Sequence, residues 1–528
     1  MPRITEANRR WWTLFGACMG LFLLMLDSTV VTIALPSIQR ELGASNADLQ
    51  WMLNAYLLAV TVLVVTVGRF GDIFGRKRLF LMGLAAFTGG SVLAAVAGDP
   101  VVLILARVIQ GAGGAALLGL SLAIVSDAFG DDERPRALGI WAGVSALALG
   151  LGPLLGGALL TSFSWRWIFW INLPFAVLGF FVTLAATRES RDETSGHRID
   201  VPGLITFSSG LTAVVLALIE GKGWGWTSPT TIGLFAAGVA LLVAFWFVEH
   251  RVAQPIVDFP LFRNRPYFGA NAAAFALVSC YWATMFLQPQ YLQNILDHTP
   301  LEAGLLILPV TAPMIAISPL SGRLIGRFGA RNLMTFGMAL AVVGVFLQTR
   351  ITASTGYGLL FASYLILGIA IGLVYAPMST AAMTAMPREK AGIAAGVLAM
   401  NRILAASLGL ALLGALFSHL QVDKLHEELV AQGASLSVAD RRDLDGLLAG
   451  SERAREVADR LPAGVHARVE NVAKDSFSYA LAGAMWVMVV LALIGTVLTW
   501  LFVSAARAPP SVHPEDARHH LHHRRFHL

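Results

Sequence analysis

Three charged residues stand inside stretches of this chain that are otherwise too apolar to hold a charge. Asp27 lies within Leu-Met-Leu-Asp-Ser-Thr, Arg107 within Leu-Ala-Arg-Val-Ile, and Arg402 within Asn-Arg-Ile-Leu-Ala. By insertion scales an aspartate at mid-membrane costs roughly 2.5–3.5 kcal/mol, so such a residue is expected to face a cavity or a partner and to work there. A carboxylate facing a cavity can carry a proton. Desolvation favours its neutral form, and a neighbouring arginine or an arriving cation favours its charged form. Binding of a cationic molecule would then expel the proton, and we expect Asp27 to act in this way. The competing reading is a carboxylate permanently paired with Arg107, which would serve the fold alone. Arg402 lies nearer a helix end, where a long side chain can snorkel to the interface.

A second cluster has its own mechanics. In Gly68-Arg-Phe-Gly-Asp72-Ile-Phe-Gly75-Arg76-Lys77-Arg78, glycines let helix ends approach closely. Asp72 suits a helix N-terminus, and Arg76, Lys77 and Arg78 can pair across to the other half or to anionic lipid. Breaking such contacts would make a gate. Farther on, Gly150-Leu-Gly152-Pro153-Leu-Leu-Gly156-Gly157 combines small residues that permit close packing with a proline that bends a helix. Pro309, Pro313 and Pro319 suggest another deformable helix. Asn54, Tyr56, Tyr281, Gln288, Tyr291, Tyr375 and Arg402 are the candidates to line a substrate cavity; aromatic faces there could hold an organic cation.

The elements that must position these residues follow from composition. Of 528 residues, 56% are hydrophobic and 13% charged, and the mean hydropathy is +0.67. A soluble fold of this size could not hide so much apolar surface. Cys18 and Cys280, the only cysteines, exclude a disulfide scaffold. The net charge of +5 is spread in short clusters, which argues against nucleic acid. A polytopic all-α membrane protein remains. Crossing a bilayer takes about 20 apolar residues, and fourteen runs meet that need: 11–35, 49–68, 79–97, 101–126, 137–161, 166–187, 203–219, 230–248, 268–290, 303–321, 332–348, 357–383, 392–418 and 478–504. With the N-terminus inside, cytoplasmic pieces hold 24 lysines and arginines and short outer loops hold four, as the positive-inside rule requires. The alternative is twelve spans, with 203–219 and 230–248 not crossing. Residues 419–476 form a long outer segment in which Lys424–Gln432 and Glu452–Arg460 could be short amphipathic helices. The tail, with His519, His520, His522, His523 and His527, reads as disordered and basic rather than as a metal site. No nucleophile elbow, zinc-protease or P-loop motif occurs, so an enzyme is not expected.

The Gly68–Arg78 cluster has a weaker echo, Gly322-Arg-Leu-Ile-Gly326-Arg327-Phe-Gly329-Ala-Arg331. With the central pair set aside, each lies between the second and third spans of a six-span half. Duplicated halves with a site between them are a transporter architecture.

With these motifs in place, the chain resembles the major facilitator superfamily, and within it the fourteen-span drug:proton antiporter branch of quaternary-ammonium and multidrug exporters. Leu26–Ile38 is similar to that branch's first-span motif. Gly68–Arg78 resembles the superfamily's loop motif, with Ile73 where a basic residue is usual. Leu103–Gly113 resembles the fourth-span motif, whose arginine, here Arg107, is implicated in proton coupling. Gly152-Pro153-x-x-Gly156-Gly157 resembles the antiporter motif, with Ala148 at a position often glycine. Ser164–Pro174 and Gln290–Gln293, followed by Ala303-Gly304 and Pro309, are similar to further segments of the branch.

The resemblance implies a major facilitator fold of two six-helix bundles plus two extra central helices. The first bundle would span 1–190 and the linkers and extra pair 191–262. The second bundle would span 263–418 and 477–505, with the outer loop at 419–476 and the tail at 506–528. It implies a proton-coupled antiporter in a bacterial inner membrane, both termini cytoplasmic, exporting hydrophobic and preferably cationic drugs or toxic compounds. The alternatives are export of a lipid, siderophore or self-made antibiotic, and, less favoured, uptake symport. No cofactor beyond the proton gradient is expected. The expected partners are small hydrophobic or cationic substrates, protons and membrane lipids, and the expected unit is a monomer.

Overall fold

The structure is a computed structural model and describes residues 4–130, 133–191, 200–252, 255–386, 391–431 and 463–503. These residues fold as helices joined by short turns, with no strand among them. The helices of the first half are α1 (Glu6–Leu42), α2 (Asn46–Phe74), α3 (Arg76–Ala95), α4 (Pro100–Ala128), α5 (Arg134–Ser162), α6 (Trp167–Trp170) and α7 (Asn172–Ala186). A central pair follows, α8 (Val201–Trp224) and α9 (Pro229–Glu249). The second half holds α10 (Arg265–Asn294), α11 (Pro300–Phe328), α12 (Ala330–Gln348), α13 (Tyr357–Thr384), α14 (Ala391–Ala431) and α15 (Ala463–Phe502). With α6 and α7 taken together, fourteen helical segments are long and apolar enough to cross a membrane.

Local sequence explains where the helices start and stop. Ser45 caps α2 through a reciprocal exchange with Asp48, and Thr299 caps α11 in the same way with Glu302, each satisfying orphan amide donors. Asp99 caps α4 just before Pro100, a residue suited to the first helical turn. The turn between α2 and α3 passes through Gly75 at φ 113°, and the matching turn between α11 and α12 through Gly329 at φ 77°. Only glycine takes such angles readily, so the repeated motif marks the same tight turn in both halves. These turns lie at the end of the bundle that also carries the start of α1. We call it the basic end, and the opposite one the far end.

Two expected boundaries change most. The thirteenth span continues through Ala431, and the fourteenth begins at Ala463, so helix enters the expected loop 419–476 from both sides. Lys424 and its neighbours belong to the last turns of α14 and are not a separate amphipathic helix. Hydropathy misses such extensions because charged side chains leave the helix intact while ending the apolar run. The segment Glu452–Arg460 and the tail 506–528 lie outside the described residues.

Within each half, long helices pack side by side: α2 and α3 on α4, α1 on α5 and α7, and in the second half α12 and α11 on α13, α10 on α14 and α15. The halves meet where α5 packs on α11, α2 on α14 and α1 on α10. The central pair is not a detached spacer, since α8 touches both α2 and α14. The Trp51 indole N–H donates to Glu220 Oε1 at 2.9 Å, and Lys222 pairs with Asp423. On α9 the apolar side chains Ile232, Val239, Val243, Trp246 and Phe247 are exposed, as suits a helix facing lipid.

Candidate functional site

Asp27, on α1, is fully buried, as is Arg107 on α4. They form an ion pair. The other Asp27 oxygen accepts from Gln110 Nε2 at 3.2 Å and from Asn172 Nδ2 at 2.9 Å. Ser91 completes the cluster by accepting from the same two amides, at 2.8 and 3.3 Å. Arg107 donates Nε to the Met52 carbonyl at 3.1 Å and Nη1 to Gln110 Oε1 at 2.8 Å, and its guanidinium lies 4.1 Å from the Tyr56 ring centroid. Five helices of the first half therefore converge on one buried carboxylate. Arg107 Nη2 and Asn172 Oδ1 have no hydrogen-bond partner among the described residues. This polar network is held together by charge-assisted bonds whose balance depends on the carboxylate.

Beside the cluster lies a cavity of about 120 Å³ between the halves. Its walls are chiefly apolar, with Leu57, Val60, Met314 and Ile371 among them. An apolar lining with a few placed polar groups is what a small-molecule pocket shows. Tyr56 belongs both to the cavity wall and to the Arg107 stack, and its hydroxyl donates to the Leu24 carbonyl at 3.0 Å. From the second half come Tyr281, Tyr375 and Arg402. The Arg402 guanidinium stacks 4.5 Å from the Tyr375 centroid and donates Nη2 to Ser379 Oγ at 2.6 Å.

Four of the seven residues expected to line a cavity do so: Tyr56, Tyr281, Tyr375 and Arg402. The other three lie elsewhere. Gln288 is tied inside the second half, donating to Gln348 and accepting from the Tyr364 hydroxyl at 2.7 Å. Tyr291 donates to the Thr352 carbonyl at 2.7 Å. Asn54 accepts from Ser407 at 3.0 Å and so links α2 to α14. Gln288 and Tyr291 are thus engaged by protein neighbours, the ordinary outcome for buried polar groups, whereas Asn54 keeps a buried Nδ2 with no partner among the described residues. Sequence reasoning passed over Trp282, Met314 and Ser28 as lining residues, since isolated aromatic, thioether and small hydroxyl side chains carry no signal in an apolar run.

Toward the far end the halves are fastened together. Asn46 donates to Gln421 at 3.3 Å, Gln50 to Ser418 at 3.4 Å, and Gln293 to the Ile33 carbonyl at 2.9 Å. The Gly-Pro motif of α5 lies in the same closure. A Cβ on Gly156 would stand 3.0 Å from the Val30 carbonyl of α1, and one on Gly152 would overlap Thr29. On the other side, a Cβ on Gly157 would stand 2.5 Å from the Pro300 carbonyl of α11, and one on Gly304 would overlap the Pro153 carbonyl. These glycines let three backbones touch. At the basic end, Gly68, Gly322 and Gly326 have open space where a Cβ would stand. Gly304→Leu is therefore expected to cost about 1–3 kcal/mol through overpacking and to lower the thermal unfolding midpoint in detergent, whereas Gly326→Leu should leave it unchanged.

The Gly68–Arg78 loop folds back on its own half. Arg76 bonds Asp72 at 2.8–2.9 Å and pairs with Asp127 at the end of α4. Lys77 donates its amide to Glu189 at 3.0 Å and its ammonium to the Leu184 carbonyl at 2.7 Å. The Gly75 position is filled closely by the Glu189 carboxylate, which a Cβ there would meet at 2.6 Å. The expectation that Arg76 and Lys77 reach across to the other half is thus corrected: Asp72 and Asp127 hold the Arg76 guanidinium and the Leu184 carbonyl accepts from the Lys77 ammonium, all within the first half. Arg78 alone is exposed, 3.7 Å from Glu189.

The sequence profile described as Major Facilitator Superfamily matches residues 17–410. The chain is 31% identical over 514 residues to the tetracenomycin C resistance and export protein of Streptomyces glaucescens, covering 96% of this chain and 94% of that one. It is 36% identical over 407 residues to the multidrug resistance protein Stp of Mycobacterium tuberculosis, covering 77% and 75%. It is 36% identical over 414 residues to the puromycin resistance protein of Streptomyces alboniger, covering 77% and 81%. Among solved structures it is similar to a bacterial homologue of the human lysosomal transporter Spinster, with a TM-score of 0.64 at 16% identity over 95% of this chain and 99% of that one.

Proposed function

This chain belongs to the Major Facilitator Superfamily, a family of transporters rather than enzymes, and we propose that it is a proton-coupled antiporter that exports hydrophobic small molecules. Its relatives in this family include multidrug and antibiotic-resistance exporters, and it is a multi-pass membrane protein. The observation that carries the reading is the shared wall: Tyr56 faces the cavity and covers Arg107, which in turn holds Asp27. A change of protonation on Asp27 alters the arginine it pairs with, and the arginine bears on the ring that meets the cargo.

We place the basic end in the cytoplasm, by the positive-inside rule, in a bacterial inner membrane. The conformation is then inward-facing, with the far-end bonds as the closed gate. Protonation of Asp27 removes one charge of a buried ion pair and loosens its hold on α4. Movement about the glycine contacts of α5 and α11 then opens the far end. The Arg76–Asp72–Asp127 cluster is proposed to fix the basic end of the first half while the halves rock. Export is supported over uptake by the Gly152–Gly157 helix and by the relatives. A self-made antibiotic remains the second cargo class, since a tetracenomycin C exporter is similar over nearly the whole chain.

The test is transport into inverted vesicles. An inside-acid gradient is expected to drive uptake of a hydrophobic dye, and its collapse by a protonophore to stop it. Uptake indifferent to the gradient would overturn proton coupling.

A further inference from the structure

The cavity has a charge character that the exporter reading leaves open. Arg402 is the one charged side chain among the described residues that line it, and no lining residue is acidic. Asp27, the neighbouring carboxylate, is not in the lining and is already engaged by Arg107, Gln110 and Asn172. Among the described residues Arg402 has no ion pair of its own. Among these residues it makes one hydrogen bond, to a neutral hydroxyl, stacks on a neutral ring, and finds no acceptor for its buried Nε–H. A second orphan stands on the same cavity wall: the hydroxyl of Tyr281, a residue 7% exposed, has no hydrogen-bond partner among the described residues.

A cationic guanidinium with spare donors and a phenol with an unused hydroxyl ask for an acceptor, and a negatively charged one above all. Arginine is suited to planar oxyanions, which it meets with two parallel N–H bonds. An organic cation would enter a low-dielectric space already holding a positive charge, with no carboxylate in the wall to offset its desolvation. The remaining walls, Tyr56, Trp282, Tyr375 and aliphatic side chains, suit flat aromatic rings. Resting on the exporter reading above, we propose that this cavity selects aromatic anions, held through Arg402 and Tyr281, over organic cations. This replaces the cationic preference expected from the sequence.

The test uses probes with one ring system and fixed charge, so that a pH gradient cannot distribute them passively. Equilibrium dialysis of the purified full-length chain compares anthracene-9-sulfonate, (anthracen-9-ylmethyl)trimethylammonium and neutral anthracen-9-ylmethanol. The sulfonate is expected to bind at least about tenfold more tightly than the ammonium, equal to about 1.4 kcal/mol. Arg402→Gln should erase that preference by lowering sulfonate affinity far more than that of the neutral probe, a selective loss that a merely structural role would not give. Arg402→Lys should retain most of the preference, and Tyr281→Phe should weaken sulfonate binding several-fold. Equal or tighter binding of the ammonium, or a preference that survives Arg402→Gln, would overturn the proposal. Should Arg402→Gln fail to fold, the wild-type preference and the Arg402→Lys and Tyr281→Phe variants still decide it. Gradient-driven transport of the same probes keeps the two readings apart. Transport of the ammonium with no anion preference sinks the anion proposal and leaves the exporter standing. Anion binding with no gradient-driven flux of any probe sinks the exporter.

Discussion

Asp27→Asn is expected to abolish proton-driven transport, bringing uptake down to that seen without a gradient, while the protein still folds and binds cargo. Asparagine keeps an oxygen for the Gln110 and Asn172 amides, which donate to Asp27 at 3.2 and 2.9 Å, but it cannot take up or release a proton. Arg107 would lose its counter-ion and keep the Met52 carbonyl, the Gln110 oxygen and the Tyr56 face. That arrangement is what a protonated aspartate would leave, and a transporter that cycles through it must tolerate it. The measurement pairs vesicle uptake with size-exclusion profile and dialysis affinity. Full transport in the variant would place the proton elsewhere. A variant that fails to fold would favour the Asp27–Arg107 pair as structure alone.

Arg107→Ala is expected to be the more damaging change to stability. It leaves a fully buried carboxylate without its cation and opens a void between Met52, Tyr56 and Gln110. Breaking a buried pair from one side typically costs about 3–5 kcal/mol, enough to remove much of a domain's stability. The loss should shrink in acid, because a protonated Asp27 no longer needs the arginine, and grow as the pH rises. Thermal unfolding of the purified variant across pH reads this directly. A loss independent of pH would mean that the void, not the stranded charge, dominates. A loss smaller than that of Asp27→Asn would contradict the asymmetry.

The sequence made the fold legible because a bilayer demands long apolar helices and penalises charge within them. Asp27 and Arg107 stood out for that reason, and the structure brings them together across 80 residues of sequence. Their amide partners were harder to see as a cluster. Ser91 is a small polar residue in an apolar run, which costs little and signals little. Gln110 and Asn172 were visible only within motifs, with nothing to say that both would turn toward Asp27. Gln288 illustrates the limit from the other side. It is as polar as a cavity residue should be, yet it lies where α10 packs on neighbours, and Gln348 and Tyr364 satisfy it. Polarity in a membrane helix says that a partner exists and does not say whether that partner is protein or cargo. The charge of the cavity was illegible for a related reason: Arg402 read both as a cavity candidate and as a residue able to snorkel, and the sequence could not say that it would stand in a wall with no acidic residue beside it. Hydropathy also could not tell the charged ends of α14 and α15 from loop, because it reports where apolar runs stop and not where hydrogen-bonded helix stops.

The central claim is that cargo and protons move in opposite directions through a route containing Asp27. It is tested most directly by trapping a pH-sensitive dye inside proteoliposomes with an acid interior and adding each of the three anthracene probes outside. In the wild-type protein at least one probe should enter while the interior turns alkaline, and Asp27→Asn should show neither change. Probe entry with an unchanged internal pH, or an equal pH response in Asp27→Asn, would contradict the account.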